Sequence, residues 1–187
     1  MDKNFKKRAW GYAGILCIAA ALVIYPSLTR PQVEGGILHF SLPNLEGEII
    51  TQDNPHWQGK VLMVNLWGTW CPPCRQEIPH LVALQNQYRD QGFEIVGAEF
   101  PAFSPDSEKE HRAALTQFVE EMGINYTILT AESPETVYEH FPDLRNAKGF
   151  PTSIFIGRDG RVAHITSGFY EGDVPTYQAH IEALLKQ

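Results

Sequence analysis

From residue 37 onward, apolar positions recur along this chain with the periods of β-strands and α-helices. Val61–Trp67 is a near-continuous apolar run and predicts a central strand that is buried on both faces. The next segment, 72–91, places its apolar residues on one helical face and predicts a helix that begins at two prolines. The same periods predict further strands at 37–42, 48–50, 93–98, 124–129, 152–156 and 161–166, and helices at 108–122, from Ser133, and at 174–186.

The order of these elements defines the expected fold class. Strands alternate with helices, which predicts an α/β protein with three layers, α/β/α, around a central sheet. The strand at 124–129 is expected to be a third central strand. An N-terminal β-hairpin precedes the sheet, and Asp159-Gly160 predicts a second hairpin near the end of the chain, which makes the central sheet mixed.

The first 36 residues have a different pattern. Residues 9–25 form a charge-free stretch of seventeen residues, and Lys3, Lys6, Lys7 and Arg8 precede it. A membrane-spanning helix needs about 17–25 residues, whereas the apolar part of a signal peptide has about 7–15. We therefore expect a cytoplasmic basic segment at 1–8, a transmembrane anchor at 9–26, a linker at 27–36 and a domain at 37–187. A cleaved signal peptide is the alternative.

Charge also separates the N-terminal segment from the domain. The cations before the apolar stretch should stay in the cytoplasm, so the domain is exported with or without cleavage. Residues 1–30 carry five cations and one acid, and the whole chain has a net charge of −7, so residues 31–187 have a net charge of −11. Because so acidic a domain is a poor nucleic-acid binder, nucleic acid is not an expected partner.

Cys71 and Cys74 are the two cysteines of the expected domain, and they lie one helical turn apart where the helix begins. A disulfide between them would close almost no loop and would stabilise little, which indicates a chemical role. Cys71 faces the helix N-terminus, where a thiolate is stabilised, and is expected to attack disulfides. Cys74, one turn inside, is then the resolving thiol.

Metal binding is the alternative use of such a pair. Structural zinc needs about four ligands, but the seven histidines are scattered singly along the chain and no second cysteine pair exists. Copper(I) suits two soft thiolates and stays open as an alternative. Reversible thiol–disulfide exchange, without a metal or another cofactor, is the expected chemistry.

The residues around this pair resemble a known family. Residues 64–79, VNLWGTWCPPCRQEIP, together with Phe150-Pro151 before a strand, resemble the thioredoxin fold. More closely, they resemble the membrane-anchored, extracytoplasmic TlpA/ResA-like thiol–disulfide oxidoreductases. The resemblance covers residues 37–187 and implies a redox-active disulfide with Cys71 as nucleophile and Cys74 as its partner. It also implies that the loop and helix at 101–122 form the central insertion of this family.

The same resemblance implies a substrate-binding surface around the cysteines. Pro151 would be a cis-proline beside the disulfide, which is plausible because X-Pro bonds adopt cis at low cost. The backbone of Phe150 would pair with an incoming substrate strand. Trp70 and Pro72, which flank Cys71, are expected to contribute to the same substrate-binding surface.

An acid–base group is expected at Glu77, one turn beyond Cys74 on the same helix face. The resemblance implies that an acid at this position lies near the cysteines and assists proton transfer. Ordinary thioredoxins instead have an aspartate six residues before the first cysteine, where this chain has Asn65. Glu77 would then take over the acid–base role. A solvated helix acid is the alternative.

The expected function is that of a membrane-tethered reductase of exported protein disulfides. Its partners would be a protein thiol/disulfide substrate and a thiol electron donor in the membrane, and its soluble domain would be monomeric. The resemblance implies a single-pass protein of the bacterial inner membrane, a periplasmic domain and a role in cytochrome c maturation. Alternatives are an oxidase or isomerase that uses the same residues, and a copper(I) chaperone of the same fold. A peroxiredoxin-type peroxidase is disfavoured because the environment of its single peroxidatic cysteine is absent.

Overall fold

The described part of the chain lies C-terminal to the predicted anchor. The structure, a computed structural model, describes residues 33–103, 107–131, 133, 136–144 and 149–187. The predicted segments at 1–8 and 9–26, and residues 27–32 of the predicted linker, lie outside these residues. Within the described ranges, no helix is long and apolar enough to cross a membrane.

Seven strands form a hairpin and a mixed sheet in the described residues. They are β1 (Ser41–Pro43), β2 (Ile49–Thr51), β3 (Val61–Trp67), β4 (Phe93–Glu99), β5 (Thr127–Thr130), β6 (Thr152–Ile156) and β7 (Val162–Ser167). β1 and β2 pair as a separate antiparallel hairpin, and the other five strands form one sheet in the order β5–β4–β3–β6–β7. β3, β4 and β5 pair in parallel, whereas β6 pairs antiparallel with both β3 and β7. The predicted class, α/β with an N-terminal hairpin and a mixed sheet, is confirmed.

Two predicted strands differ from the structure in place or length. β3 is central and fully buried, as predicted, but the strand predicted at 124–129 as a third central strand is the edge strand β5. Leu129 of β5 is nevertheless buried, because the backbone of Asn44 bridges to it and covers the open edge. The strand predicted at 37–42 begins only at Ser41, since Ile37 forms an isolated bridge with Arg161.

The helices follow the predicted apolar periods. The described residues form α1 (Pro72–Tyr88), α2 (Glu108–Glu121), α3 (Val137–His140) and α4 (Val174–Leu185). Two prolines open α1, where their missing N–H groups cost no helical hydrogen bond, and Cys71 is its N-cap. After a 3-10 turn at Arg89–Gln91 the chain reverses at Gly92, whose φ of 88° favours glycine. α2 lies between β4 and β5, in the segment predicted as the central insertion.

Alternate residues of β3 point to opposite faces of the sheet, and each face has its own core. On one face, Val61, Met63 and Trp67 pack against side chains of α1, α2 and α4. On the other face, Leu62 and its alternate neighbours pack against residues of the segment 33–57, which precedes β3, and against two residues that follow α3. The second core includes Leu38, Phe40, Leu42, Trp57, Phe141 and Leu144. By this alternation, Asn65 lies on the face that α1 covers.

Candidate active site

The cysteine pair forms a disulfide at the beginning of α1. The two sulfur atoms are 2.06 Å apart and the Cα atoms of Cys71 and Cys74 are 5.3 Å apart. Sγ of Cys71 accepts a hydrogen bond of 3.3 Å from the backbone N–H of Cys74. Both side chains are almost fully buried, with 3% and 1% exposed. When the disulfide is reduced, a thiolate on Cys71 would face the backbone N–H of Cys74 and the positive end of α1, which stabilise a negative charge.

Trp70, the residue before Cys71, places an exposed aromatic ring next to the disulfide. Its side chain is 45% exposed, and its Nε1–H donates a hydrogen bond of 2.9 Å to the backbone oxygen of Phe100. This position of the Trp70 ring depends on Gly68, because a Cβ at residue 68 would lie 2.5 Å from Nε1 of Trp70. An exposed aromatic ring held in place by its own hydrogen bond can contact a bound protein at small entropic cost.

The Phe150–Pro151 segment lies against the ring of Trp70. The peptide bond between these two residues is cis, and the ring of Phe150 meets the ring of Trp70 edge-on, with 5.7 Å between centroids. The backbone oxygen of Pro151 accepts a hydrogen bond of 2.8 Å from Gly168. Pro72 is exposed at the first position of α1. The structure therefore brings predicted substrate-binding residues from two distant parts of the chain together.

Glu77 is a fully buried carboxyl group with three hydrogen-bond donors. Its Oε2 accepts from Nδ2 of Asn65 at 2.9 Å, and its Oε1 accepts from Oγ of Ser153 at 3.1 Å and from the hydroxyl of Tyr177 at 2.9 Å. No part of the side chain is exposed, so the alternative of a solvated helix acid is wrong. Asn65 also donates to Oγ of Ser153 at 2.9 Å, which joins the three partners into one network.

Burial decides the protonation of this carboxyl group. It raises the pKa of Glu77 from its ordinary 4.5 to about 7, although the hydrogen bonds from Tyr177, Asn65 and Ser153 each act to lower it. The charge of Asp173 raises the pKa of Glu77 further. A carboxyl group that titrates near neutral pH, one helical turn from Cys74, can accept the proton of a thiol and return it.

Two members of this network were not predicted from the sequence. Ser153 lies in β6, two residues after Pro151, and Tyr177 lies in α4, where its ring fits the apolar face of the helix. The available signal for Tyr177 was chemical, because a buried phenol normally has a hydrogen-bond partner. The alternation of β6 gives a similar signal, since Ser153 must share a face with Phe155 on the side that α1 covers.

Metal ligands are few around this site. Among the residues that the structure describes, no group of three or more His, Cys, Asp or Glu side chains is close enough to hold a metal ion. Cys71 and Cys74 could together offer two soft sulfur ligands in the reduced state.

Known proteins are similar to this chain in sequence and in fold. Residues 35–165 match the family model described as the AhpC/TSA family. Thiol-disulfide oxidoreductase ResA of Halalkalibacterium halodurans is 28% identical over 177 residues, which cover 90% of each chain. ResA of Oceanobacillus iheyensis is 27% identical over 176 residues, which cover 89% of this chain and 85% of the relative.

Solved structures agree with these relatives. A thiol:disulfide interchange protein of the thioredoxin family from Chlorobium tepidum is similar at 26% identity with a TM-score of 0.62, covering 84% of this chain and 98% of that chain. A secreted thiol-disulfide isomerase from Corynebacterium glutamicum is 20% identical and shares the fold, with a TM-score of 0.64 and coverage of 81% and 86%. The expected thioredoxin fold is therefore confirmed.

Proposed function

We propose that this chain, which belongs to the AhpC/TSA family, reduces disulfide bonds of exported proteins through Cys71 and Cys74. It is a thiol–disulfide oxidoreductase with the thioredoxin fold, similar to the ResA proteins. The observation that carries the proposal is the pairing of a disulfide at the N-terminus of α1 with a buried carboxyl group, Glu77, one turn further on. That arrangement supplies a stabilised thiolate and a proton acceptor in one core.

The first step is attack on the substrate. In the reduced protein, the Cys71 thiolate attacks one sulfur of a substrate disulfide. The substrate S–S bond breaks, a mixed disulfide forms between Cys71 and the substrate, and one substrate thiolate leaves. The N-terminus of α1 favours this step because it stabilises the Cys71 thiolate that must attack.

The second step releases the substrate and needs a proton acceptor. Cys74 is buried as a thiol, and the carboxylate of Glu77 takes its proton. The Cys74 thiolate then attacks Sγ of Cys71, so the Cys71–Cys74 bond forms, the mixed disulfide breaks and the second substrate thiolate leaves and is protonated. Two electrons pass to the substrate, and an external dithiol must return them to the protein.

The substrate would be held beside Cys71 by its backbone. We assign this contact to the backbone of Phe150 next to Pro151, where an extended substrate segment can add as a strand. Trp70 and Pro72 provide exposed apolar surface beside Cys71. The backbone contact does not depend on substrate side chains, which suits an enzyme that acts on cysteine pairs in different proteins.

The proposed location rests on the N-terminal sequence. The cations before the apolar stretch at 9–25 favour a single-pass anchor with residues 37–187 on the periplasmic side of a bacterial inner membrane. A thiol carrier in that membrane would supply the electrons, and reduction of the cysteine pair of an apocytochrome c would be one use of them. Protease treatment of spheroplasts tests the location, since the domain should be degraded from outside the cell.

Substrate trapping tests the exchange mechanism. In the full chain with Cys74→Ser, the mixed disulfide cannot resolve, and Cys71 should accumulate adducts with exported proteins that dithiothreitol releases. The matched control is the double variant Cys71→Ser, Cys74→Ser, which should form none. If the two variants give the same adducts, the assignment of Cys71 as nucleophile is wrong.

The reduction potential tests the direction of electron flow. Equilibration with dithiothreitol should give a value close to the about −270 mV of thioredoxin. A value near the about −120 mV of a strong oxidant such as DsbA would identify an oxidase instead. Tight Cu(I) binding by a reduced protein that fails to reduce insulin would identify a copper chaperone.

A further inference from the structure

Tyr177 connects the last helix of the chain to the buried carboxyl group. It lies one hundred residues after Glu77, in α4, and its side chain is 1% exposed. Its hydroxyl donates to Oε1 of Glu77 at 2.9 Å, and the same oxygen accepts from Ser153. Tyr177 lies beyond residues 35–165, the part of the chain that matches the family model.

The partners of Glu77 differ in what they can do when the carboxyl group gains a proton. The amide Nδ2 of Asn65 can only donate, so it favours the ionised form of the carboxyl group. A hydroxyl group can both donate and accept. Oγ of Ser153 accepts from Asn65 and donates to Glu77. The hydroxyl of Tyr177 donates to Glu77, and Thr166 and Ser153 also act on it through side-chain hydrogen bonds. It can accept from the carboxyl group once that group is protonated.

We propose that Tyr177 is a positioning residue that controls the protonation of Glu77 during thiol–disulfide exchange. Its hydroxyl donates to the ionised carboxylate before Cys74 loses its proton. After the proton reaches Oε1 of Glu77, the hydroxyl turns and accepts from the new carboxylic acid. One proton moves from Sγ of Cys74 to Glu77, and Tyr177 gains and loses none. The proposal rests on the proposed function in taking Glu77 as the base.

The groups that surround Glu77 allow its titration to be followed. Cys74 lies one helical turn before it on α1, Asp173 acts on it from the turn before α4, and the charge of Glu77 itself acts on Tyr126 in the loop before β5. Burial raises the pKa of Tyr126 and of Tyr177 far above the ordinary value, so both phenols stay neutral in the assay range. In the oxidised protein the cysteines carry no proton, and the carboxyl group of Glu77 can be observed near neutral pH without them.

The test is Tyr177→Phe, with Tyr88→Phe as the matched control. Tyr88 is also a buried tyrosine, but its hydroxyl donates to Glu182 at 2.8 Å and not to Glu77. In the oxidised protein, carbon NMR follows the titration of the Glu77 carboxyl group. The midpoint of this titration should rise by about one pH unit in Tyr177→Phe, because a donor to the charged form is lost. It should not move in Tyr88→Phe. An unchanged titration in Tyr177→Phe would show that Tyr177 has a packing role alone.

A second variant keeps the proposal testable if Tyr177→Phe does not fold. Site-specific replacement of Tyr177 by 3,5-difluorotyrosine keeps the ring and makes the hydroxyl a stronger donor. The Glu77 titration should then move down, in the opposite direction to Tyr177→Phe. A shift in the same direction for both variants would contradict control through the hydroxyl bond.

The catalytic readout separates this proposal from the proposed function. The rate at which Cys74 resolves a preformed mixed disulfide should have a pH profile that moves with the Glu77 titration in each variant. If the titration moves and the profile does not, Tyr177 controls Glu77 but Glu77 is not the base. If neither the Glu77 titration nor the pH profile of the resolution rate changes in the variants, the positioning role of Tyr177 is wrong.

Discussion

Removing the ionisable group at Glu77 should change how the stability of the oxidised protein depends on pH. In the wild type, raising the pH above neutral forces a negative charge into a core in which no part of the side chain meets solvent. Glu77→Gln keeps the size and shape of the side chain but cannot ionise. We therefore expect the wild type to lose stability between pH 5 and pH 8, relative to Glu77→Gln.

The size of this loss follows from the raised pKa. Burial moves the pKa of Glu77 from 4.5 to about 7, so the folded protein holds this proton more tightly than the unfolded chain does. The stabilisation is fully present below the unfolded pKa and is lost as the pH rises through 7. One pKa unit corresponds to about 1.4 kcal/mol, and the interval from pH 5 to pH 8 contains most of the shift. The difference between the two proteins should change by about 2.5 kcal/mol over this interval.

Urea unfolding at four pH values between 5 and 8 measures this change. Non-reducing conditions keep Cys71 and Cys74 from titrating, and the wild type and the variant share every other titrating group. A constant effect of the glutamine amide on stability cancels, because only the change with pH is compared. Glu120→Gln, on the exposed side of α2, is the control and should follow the wild type. Parallel curves for the wild type and Glu77→Gln would refute a raised pKa at Glu77.

Three further predictions concern the same site. In the reduced protein, iodoacetamide should alkylate Cys71 before Cys74, as read by mass spectrometry, because the N-terminus of α1 stabilises a thiolate on Cys71; equal alkylation would contradict this. Trp70→Ala should lower kcat/KM for a protein disulfide about tenfold by raising KM, with an unchanged reduction potential. Asn65→Asp places a second carboxyl group where Nδ2 lies 2.9 Å from Glu77, so the pH optimum of exchange should rise by at least about one unit; an unchanged optimum would count against Glu77 as the base.

The sequence was sufficient where local pattern determines structure. A near-continuous apolar run over seven residues, interrupted by Asn65, predicted β3 correctly because a strand covered on both faces has no polar side. The two prolines after Cys71 predicted the beginning of α1 because proline fits a first helical turn. The same local pattern could not distinguish a central strand from an edge strand. At β5, coverage comes from the N-terminal hairpin, which bridges to Leu129 from Asn44.

The carboxyl network shows a different limit. The sequence indicated Glu77 and Asn65, which are twelve residues apart and lie on neighbouring elements. It did not indicate Ser153 or Tyr177, which are 76 and 100 residues from Glu77. Periodicity assigns each of them to a buried face but not to a partner, because the partner depends on how α1 and α4 pack on the sheet.

The cost of this network is itself an argument for its function. A buried carboxyl group whose pKa is raised to about 7 destabilises the folded protein at higher pH, and three donors do not remove that penalty. An apolar side chain at Glu77 would avoid the penalty, since Ile78 and Leu81 of the same helix already pack in this core. Structure alone therefore gives no reason for an acid at this position. Thiol exchange does give a reason, because the resolving thiol of Cys74 is buried beside the mixed disulfide and has no solvent to take its proton.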